Sequence, residues 1–137
     1  MRFLIYGAGA LGQAIGCMLA ADGHRVDLLL RSRFVDALKI SGLEVTGIFG
    51  EFRVSADRIG LLTTLKGKNG GEYDAVLLTA KTYDTDAAVT DIAGMRDCYC
   101  PVASLQNGCG NLEKLAERLG RERALAGRVI TGFEIER

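Results

Sequence analysis

The chain has 137 residues, of which 48% are apolar and 25% charged, a balance typical of one soluble globular domain. Lysine plus arginine and aspartate plus glutamate each number 17, so the formal net charge is zero. This argues against binding to nucleic acid or to a membrane surface, because both need a cationic excess. Glycine occurs 18 times and proline once, which indicates tight turns rather than a disordered linker.

The N-terminal third predicts a strand, a turn, a helix and a second strand. Residues 3–6 are a short apolar run typical of a buried parallel strand, and the glycine-rich residues 7–12 follow as a turn. Apolar side chains then recur at helical spacing until Gly23, which suits a left-handed helix cap. Residues 26–30 form a second apolar strand, so this region is a βαβ unit with a right-handed crossover.

The rest of the chain continues to alternate strands and helices. This alternation indicates an α/β fold, with a doubly wound, mainly parallel sheet and a small antiparallel hairpin insertion. In chain order we expect a short helix over residues 34–40, a hairpin formed by 43–46 and 51–55, a mobile polar loop over 66–71, a strand over 75–80, a helix over 84–95, a strand over 102–105, a helix over 111–119 and one or more strands within 124–135.

The turn after the first strand matches the pattern G-x-G-x-x-G. The pattern alone is weak and could merely shape a turn, but here it ends a strand and opens a helix inside a βαβ unit. Gly7 would permit the tight turn, Gly9 would let the backbone approach a pyrophosphate, and Gly12 would let the helix pack close to the sheet. Ala10 and Leu11 would begin the helix whose free N–H groups hold the pyrophosphate. The turn therefore predicts a Rossmann-type dinucleotide-binding domain.

The end of the second strand bears on the choice of dinucleotide. A site for NAD, or for a flavin dinucleotide, places a carboxylate there to bind ribose, but Asp27 falls inside the strand. The strand instead ends at Arg31, followed two residues later by Arg33. Because a guanidinium can bind phosphate through two hydrogen bonds, this favours NADP(H) over NAD(H). The alternative is that both arginines, Arg33 in particular, are ordinary surface charges.

Two later loops place polar residues at the expected ligand edge. Lys81 follows the strand over 75–80, and Asn107-Gly108 follows the strand over 102–105. Ligands of open α/β sheets lie outside the carboxyl ends of the strands, so both residues are candidates for the site. Taken alone, Lys81 is more often a solvated lysine, and Asn107-Gly108 is more often just a turn.

In combination, these motifs resemble the N-terminal half of the ketopantoate reductase family. The resemblance implies hydride transfer from NADPH to the ketone of 2-dehydropantoate, or of a similar 2-keto acid, in pantothenate biosynthesis. It implies that Arg31 holds the 2′-phosphate of NADPH, that Lys81 lies near the nicotinamide ribose, and that Asn107 lies at the nicotinamide and substrate end. The residues that match are Gly7 to Gly12, Gly23-His24, Leu30-Arg31, Lys81, Asn107-Gly108 and Gly110.

The family also has a helical C-terminal domain that supplies a proton-donating lysine and substrate-binding groups, and 137 residues leave no room for it. Residues 1–137 are accordingly predicted to be the cofactor-binding domain alone, which binds NADPH but turns over little or no substrate. The expected partners are a small 2-keto acid and, in a homodimer, a second copy of the chain.

No metal site is predicted, because Cys98 and Cys100 form a lone C-x-C and His24 is the only histidine. A cytoplasmic location with reduced cysteines is expected, because the first apolar run is too short for a signal peptide or a membrane span. Two rival interpretations are a regulatory dinucleotide-sensing module, as in potassium transport regulators, and a methyltransferase that binds S-adenosylmethionine. Both would place a carboxylate at the end of the second strand.

Overall fold

A six-stranded parallel sheet forms the centre of the molecule, in the order β5-β2-β1-β6-β7-β8. The computed structural model describes residues 1–136. Their regular elements are β1 (Arg2–Tyr6), α1 (Ala10–Ala21), β2 (Arg25–Leu29), α2 (Val35–Ser41), β3 (Leu43–Val45), β4 (Phe52–Val54), β5 (Ile59–Leu62), β6 (Ala75–Leu78), α3 (Thr85–Ala93), β7 (Val102–Ser104), α4 (Asn111–Leu119) and β8 (Ala124–Ala126).

This strand order confirms the predicted doubly wound α/β fold. The chain builds outward from β1 through β2 to β5, then returns to the other side of β1 to add β6, β7 and β8. The predicted hairpin is also present as a separate antiparallel pair, in which Leu43 of β3 lies opposite Val54 of β4. The point where the strand order reverses lies beside β1, so the carboxyl ends of β1, β2 and β6 frame the crevice where such sheets bind ligands.

Alternate residues of the central strands enter two separate cores. Leu4 packs on one face, in a buried cluster with α3 and α4 that includes Ile92 and Leu115. Ile5 packs on the other face, in a cluster with α1 and the hairpin that includes Cys17 and Val54. Each fully buried aliphatic side chain contributes about 1.5–3 kcal/mol relative to an exposed one, so the sheet is held from both sides.

Strand β5 is not among the elements predicted from the sequence, and the last strand is shorter than predicted. In β5 the short apolar run is interrupted by Gly60, but a side chain there would overlap the Asp27 carboxylate on the adjacent strand. The prediction of strand over 124–135 was wrong beyond Ala126, because residues 127–136 form no regular element. In this segment Ile130 is 86% exposed, and Phe133 packs on the side of the core that holds α1 and the hairpin. The other predicted elements are present, most with bounds that shift by one to three residues.

Asp27 is a buried carboxylate near the middle of the sheet, not a ligand at its edge. Its Oδ2 accepts hydrogen bonds from the Tyr73 hydroxyl at 2.6 Å and from Arg2 Nη2 at 2.9 Å. Burial and the bond to Asp27 both raise the pKa of Tyr73 above its ordinary value, so the phenol stays protonated as a donor. The carboxylate is therefore already paired within the fold, as its place inside the predicted strand suggests.

We expect Tyr73→Phe to lower the free energy of unfolding by about 1–2 kcal/mol, because the carboxylate loses one of its two donors while the ring still fills the core. Urea denaturation measures this change. Tyr99→Phe is the matched control, since Tyr99 is 78% exposed, and its effect should stay within about 0.5 kcal/mol. Equal effects of the two substitutions would contradict the structural role given to the Tyr73–Asp27 bond.

Candidate dinucleotide-binding site

The loops at the carboxyl ends of β1, β2, β5 and β6 line one groove of about 1510 Å³. Five of the predicted site residues lie on its wall: Gly7, Gly9, Ala10, Arg31 and Lys81. In the described part of the chain, Leu11, Gly12 and Asn107 are not among the lining residues. Leu11 and Gly12 lie in the first turn of α1, and Asn107 lies in the exposed loop between β7 and α4.

The three glycines of the turn differ in backbone conformation and in the space around them. Gly7 has a φ of +110°, and a Cβ there would lie 2.6 Å from the backbone nitrogen of Ala80. A Cβ on Gly12 would overlap the Gly7 carbonyl oxygen, so the helix can approach the loop only without a side chain. Gly9 has an ordinary φ of −74°, and nothing lies within 4 Å of a Cβ built on it. Packing within the chain therefore requires Gly7 and Gly12 but leaves Gly9 unexplained.

Helix α1 begins at this turn without a side-chain cap. Gly9 is its N-cap residue, its first turn contains no acidic residue, and it runs for 12 residues. The first backbone N–H groups of a helix have no partner within it and form the positive end of the helix dipole. Together with the open space beside Gly9, this end of α1 suits an anionic group such as a pyrophosphate.

Two side chains that the sequence analysis did not identify hold the glycine turn in shape. The Thr79 hydroxyl donates to the Gly7 carbonyl at 2.6 Å, and the Gln13 side-chain amide donates to the Ala8 carbonyl at 2.8 Å. Thr79 follows β6 directly, and Gln13 lies in the first turn of α1. The turn is thus fixed from the sheet and from the helix. A threonine after one strand and a glutamine in a helix offer no pattern that would have predicted these contacts.

Arg31 and Arg33 place positive charge at the end of β2. Arg31 lines the groove two residues past the end of the strand and is exposed. The Arg33 guanidinium carbon lies 4.7 Å from the centre of the Phe34 ring. In the part of the chain that the structure describes, neither guanidinium forms an ion pair with a carboxylate. This edge of the groove can therefore receive a further anionic group.

Gln106, which no sequence motif indicates, links the loop after β6 to the loop after β7. Its Nε2 donates to the Ala80 carbonyl and to the Thr85 hydroxyl, both at 2.9 Å. Its Oε1 accepts from the Ser104 hydroxyl at 3.0 Å. One side chain thereby joins the ends of two strands to the start of α3. Its partners are up to 26 residues away in sequence, which is why no local motif reveals it.

The same two loops meet again beside Asn107. The Thr82 hydroxyl donates to the Asn107 carbonyl at 2.6 Å, and the buried Asn111 side chain donates to that carbonyl at 3.3 Å. Lys81 precedes Thr82, so these bonds place the Lys81 and Asn107 loops side by side at one end of the sheet edge. The Asn107 side chain is exposed, and the backbone carbonyl is the group that holds the loop.

We expect Gln106→Met to lower the free energy of unfolding by about 2 kcal/mol, since it leaves the Ala80 carbonyl and the Thr85 and Ser104 hydroxyls without their shared partner. Thermal or urea unfolding measures the loss. Gln13→Met removes only the bond to the Ala8 carbonyl, so it should cost about 1 kcal/mol or less. If the two substitutions prove equally mild, Gln106 is not the link between the loops.

Residues far apart in sequence form two further walls of the groove. The Tyr6 hydroxyl donates to Asp91 Oδ2 at 2.5 Å, and burial followed by this bond raises the pKa of Tyr6. On the hairpin side, the Phe49 and Phe133 rings stack with centroids 5.9 Å apart. Residues 131–136 line the groove beside them. The groove is thus walled by α3 on one side and by the hairpin tip with the C-terminal segment on the other.

Within residues 1–136, no group of three or more histidine, cysteine, aspartate or glutamate side chains is placed to hold a metal ion. No helix in the described range combines the length and the apolar character needed to cross a bilayer.

Comparison with known proteins identifies the family. Residues 3–137 match the family model described as ketopantoate reductase PanE/ApbA. This chain belongs to the ketopantoate reductase family. It is 35% identical over 122 residues to the 2-dehydropantoate 2-reductase of Pyrococcus horikoshii, an alignment that covers 88% of this chain and 38% of that protein. The family assignment confirms the resemblance drawn from the glycine turn, Arg31, Lys81 and Asn107-Gly108.

Solved structures of related enzymes share this fold. The crystal structure of a 2-dehydropantoate 2-reductase from Geobacter metallireducens GS-15 matches with a TM-score of 0.78 and 32% identity, over 92% of this chain and 40% of that one. A D-mandelate dehydrogenase in complex with NADH matches with a TM-score of 0.67 and 25% identity, over 93% of this chain and 38% of that one. The chain spans 38% and 41% of the length of two curated ketopantoate reductase relatives. It is therefore an oxidoreductase-family domain of Rossmann type, and the family match does not favour a sensing module or a methyltransferase.

Proposed function

We propose that this chain is the NADPH-binding domain of an enzyme that reduces the ketone of 2-dehydropantoate, or of a similar 2-keto acid, in pantothenate biosynthesis. The proposal rests on how the charged residues of β2 and of the loop after it are paired. The strand's own carboxylate, Asp27, is buried and hydrogen-bonded to Arg2 and Tyr73, whereas Arg31, on the groove wall, forms no ion pair within residues 1–136. A 2′-phosphate would find the Arg31 guanidinium at the end of β2, where residues 30–33 offer no carboxylate to a 2′-hydroxyl.

The residues present fit the rest of such a cofactor. The open space beside Gly9, under the uncapped start of α1, would take the pyrophosphate on the backbone N–H groups of Ala10 and Leu11. The Arg31 end of the groove would take the phosphorylated adenosine. The opposite end, where the Lys81 and Asn107 loops meet, would take the nicotinamide riboside.

When bound, NADPH supplies the hydride, and the protein contributes position and charge. Lys81 lies on the groove wall, where its ammonium group would bind ribose hydroxyls or stabilise negative charge that develops on a ketone oxygen. Asn107 would offer an amide donor to the same region. Gln106 and Thr82 fix the backbone of both loops before any ligand binds, so the Lys81 and Asn107 side chains start from fixed main-chain positions.

NADH in the D-mandelate dehydrogenase complex shows that this fold can also serve the unphosphorylated cofactor. The choice of NADPH for this chain therefore rests on Arg31 and not on the fold. The curated relatives are more than twice as long as this chain, and we propose that a further helical domain provides the proton donor and most of the substrate contacts. Assembly as a homodimer and a cytoplasmic location belong to the same proposal.

The activity is tested with the full-length protein that contains this domain. We expect loss of NADPH absorbance on addition of 2-dehydropantoate, with a kcat/KM at least about tenfold above that for pyruvate, because a pocket shaped for one substrate discriminates by such factors. Residues 1–137 alone should bind NADPH without turnover. Turnover by the short chain would contradict the division into two domains, and failure of the full-length protein to reduce any 2-keto acid would contradict the proposed reaction.

A further inference from the structure

Two cysteines lie together at the edge of the sheet opposite the groove. Cys98 and Cys100 belong to the segment between α3 and β7, just before the amino end of β7. Cys98 is 7% exposed and packs in the core shared with α3 and α4, whereas Cys100 is half-buried against that core. Neither belongs to the proposed cofactor site, and from the sequence both are expected to be reduced cysteines that hold no metal.

A guanidinium faces this pair. Arg123, next to β8, places Nη2 3.5 Å from the Cys98 sulfur, and its Nε donates to the Cys100 carbonyl at 3.1 Å. Among the described residues Arg123 forms no ion pair with a carboxylate, so its charge is directed at the thiols. An arginine held over a cysteine sulfur stabilises the thiolate, which is the nucleophilic form.

The two thiols are not equivalent. The neighbouring Cys100 thiol and the charge of Arg123 lower the pKa of Cys98 despite its burial. The proximity of Cys98, together with burial, raises the pKa of Cys100. Because the Arg123 guanidinium lies 3.5 Å from its sulfur, Cys98 is the thiol favoured to ionise, and Cys100 is the one favoured to keep its proton. A nucleophilic sulfur beside a second sulfur that can resolve its oxidised form is the arrangement of a redox-sensitive pair.

The backbone around Cys98 holds this arrangement in place. Asp97 has a φ of +54°, a left-handed conformation that is unusual for a residue other than glycine. Gly70 packs so closely on Cys98 that a Cβ there would overlap the cysteine side chain, and the Gly70 N–H donates to the Arg96 carbonyl at 2.7 Å. Cys98 is therefore confined between Gly70 and the Arg123 guanidinium.

We propose that Cys98 and Cys100 form a peroxide-sensitive dithiol that closes to a disulfide. The Cys98 thiolate attacks one oxygen of a hydroperoxide, so that an S–O bond forms and the O–O bond breaks. The departing oxygen takes up a proton and leaves as water or an alcohol. The Cys100 sulfur then attacks the Cys98 sulfur, the S–S bond forms, and the S–O oxygen leaves as water with the Cys100 proton. The two thiols lose two electrons and the peroxide gains them.

The test uses the protein with Cys109→Ser, because trypsin cuts after Arg96 and Lys114 and would otherwise leave three cysteines on one peptide. The reduced, folded protein is treated with hydrogen peroxide, its remaining thiols are alkylated, and the peptides are weighed. We expect one disulfide between Cys98 and Cys100. Cys17 is the internal control, since it is fully buried and burial raises its pKa, so it should stay reduced.

Arg123→Gln should slow formation of the disulfide about tenfold, and Arg123→Lys should recover part of the rate, because the charge stabilises the thiolate. In Cys100→Ser, a dimedone adduct should mark sulfenic acid at Cys98. The proposal is overturned if Cys98 oxidises no faster than Cys17 in the protein that keeps Arg123. This comparison needs no substitution that could destabilise the fold. It is also overturned if Arg123→Gln, shown to be folded by circular dichroism, oxidises at the same rate.

Discussion

Gly12→Ala is expected to destabilise the domain by about 2 kcal/mol, whereas Gly9→Ala is expected to leave it intact. A methyl group on Gly12 would overlap the Gly7 carbonyl oxygen and lie 2.7 Å from the Thr79 hydroxyl, so α1 must shift away from the turn. Overpacking of this kind costs about 1–3 kcal/mol or more, and the better helix propensity of alanine offsets only about 1 kcal/mol of it. Thermal unfolding without ligand measures the difference between the two variants.

Gly9→Ala separates the ligand's requirement from that of the fold. Its methyl group meets nothing in the protein and its φ of −74° suits alanine, so stability should be unchanged or slightly higher. The same methyl group would fill the space proposed for the pyrophosphate, and NADPH affinity should fall at least about tenfold because the phosphate loses its close approach to the backbone. Gly9→Ala that binds NADPH as tightly as the unsubstituted chain would place the pyrophosphate elsewhere.

Arg31→Ala is expected to weaken NADPH binding about 10- to 100-fold and to leave NADH binding unchanged. Loss of a charge-assisted hydrogen bond costs about 1.5–3 kcal/mol, and only the 2′-phosphate of NADPH would make such a bond. Arg31→Lys should recover part of the affinity, because an ammonium group keeps the charge but not the two-pronged geometry. Calorimetric titration of each variant with both cofactors gives the ratio.

Arg33→Ala is the matched control for Arg31. Arg33 lies two residues further along the chain, but its guanidinium stacks on the Phe34 ring in a cation–π interaction. We expect it to change NADPH affinity less than Arg31→Ala does. If the NADPH-to-NADH ratio stays the same in Arg31→Ala, or if Arg33→Ala alters it more, the 2′-phosphate is not held by Arg31.

The parts of the fold that follow from local patterns could be predicted from the sequence. The βαβ unit and its glycine turn are read from an apolar run, helical spacing and the glycines themselves. The position of the Asp27 carboxylate inside the strand, and not at its end, follows from the three leucines that come after it in the predicted strand. Each of these features depends on residues that are close together in sequence, so local patterns are enough to predict it.

The parts that were missed depend on contacts between distant segments. β5 is hidden because Gly60 looks like a loop residue until Asp27, 33 positions earlier, is known to occupy the space beside it. Gln106 has no motif, and its importance appears only when the ends of β6 and β7 are adjacent. The stacking of Phe49 on Phe133 likewise joins the hairpin tip to the C-terminal segment, a contact that no local periodicity indicates.

We propose that the groove beside Gly9 and Arg31 binds NADPH in preference to NADH. Direct titration of the purified chain with NADPH, NADH and S-adenosylmethionine, at one fixed ionic strength, tests it most simply. We predict a Kd for NADPH at least about tenfold below that for NADH, since a bound 2′-phosphate adds a charge-assisted bond, and no binding of S-adenosylmethionine. Equal affinity for NADH, or saturable binding of S-adenosylmethionine in the same groove, would contradict the assignment.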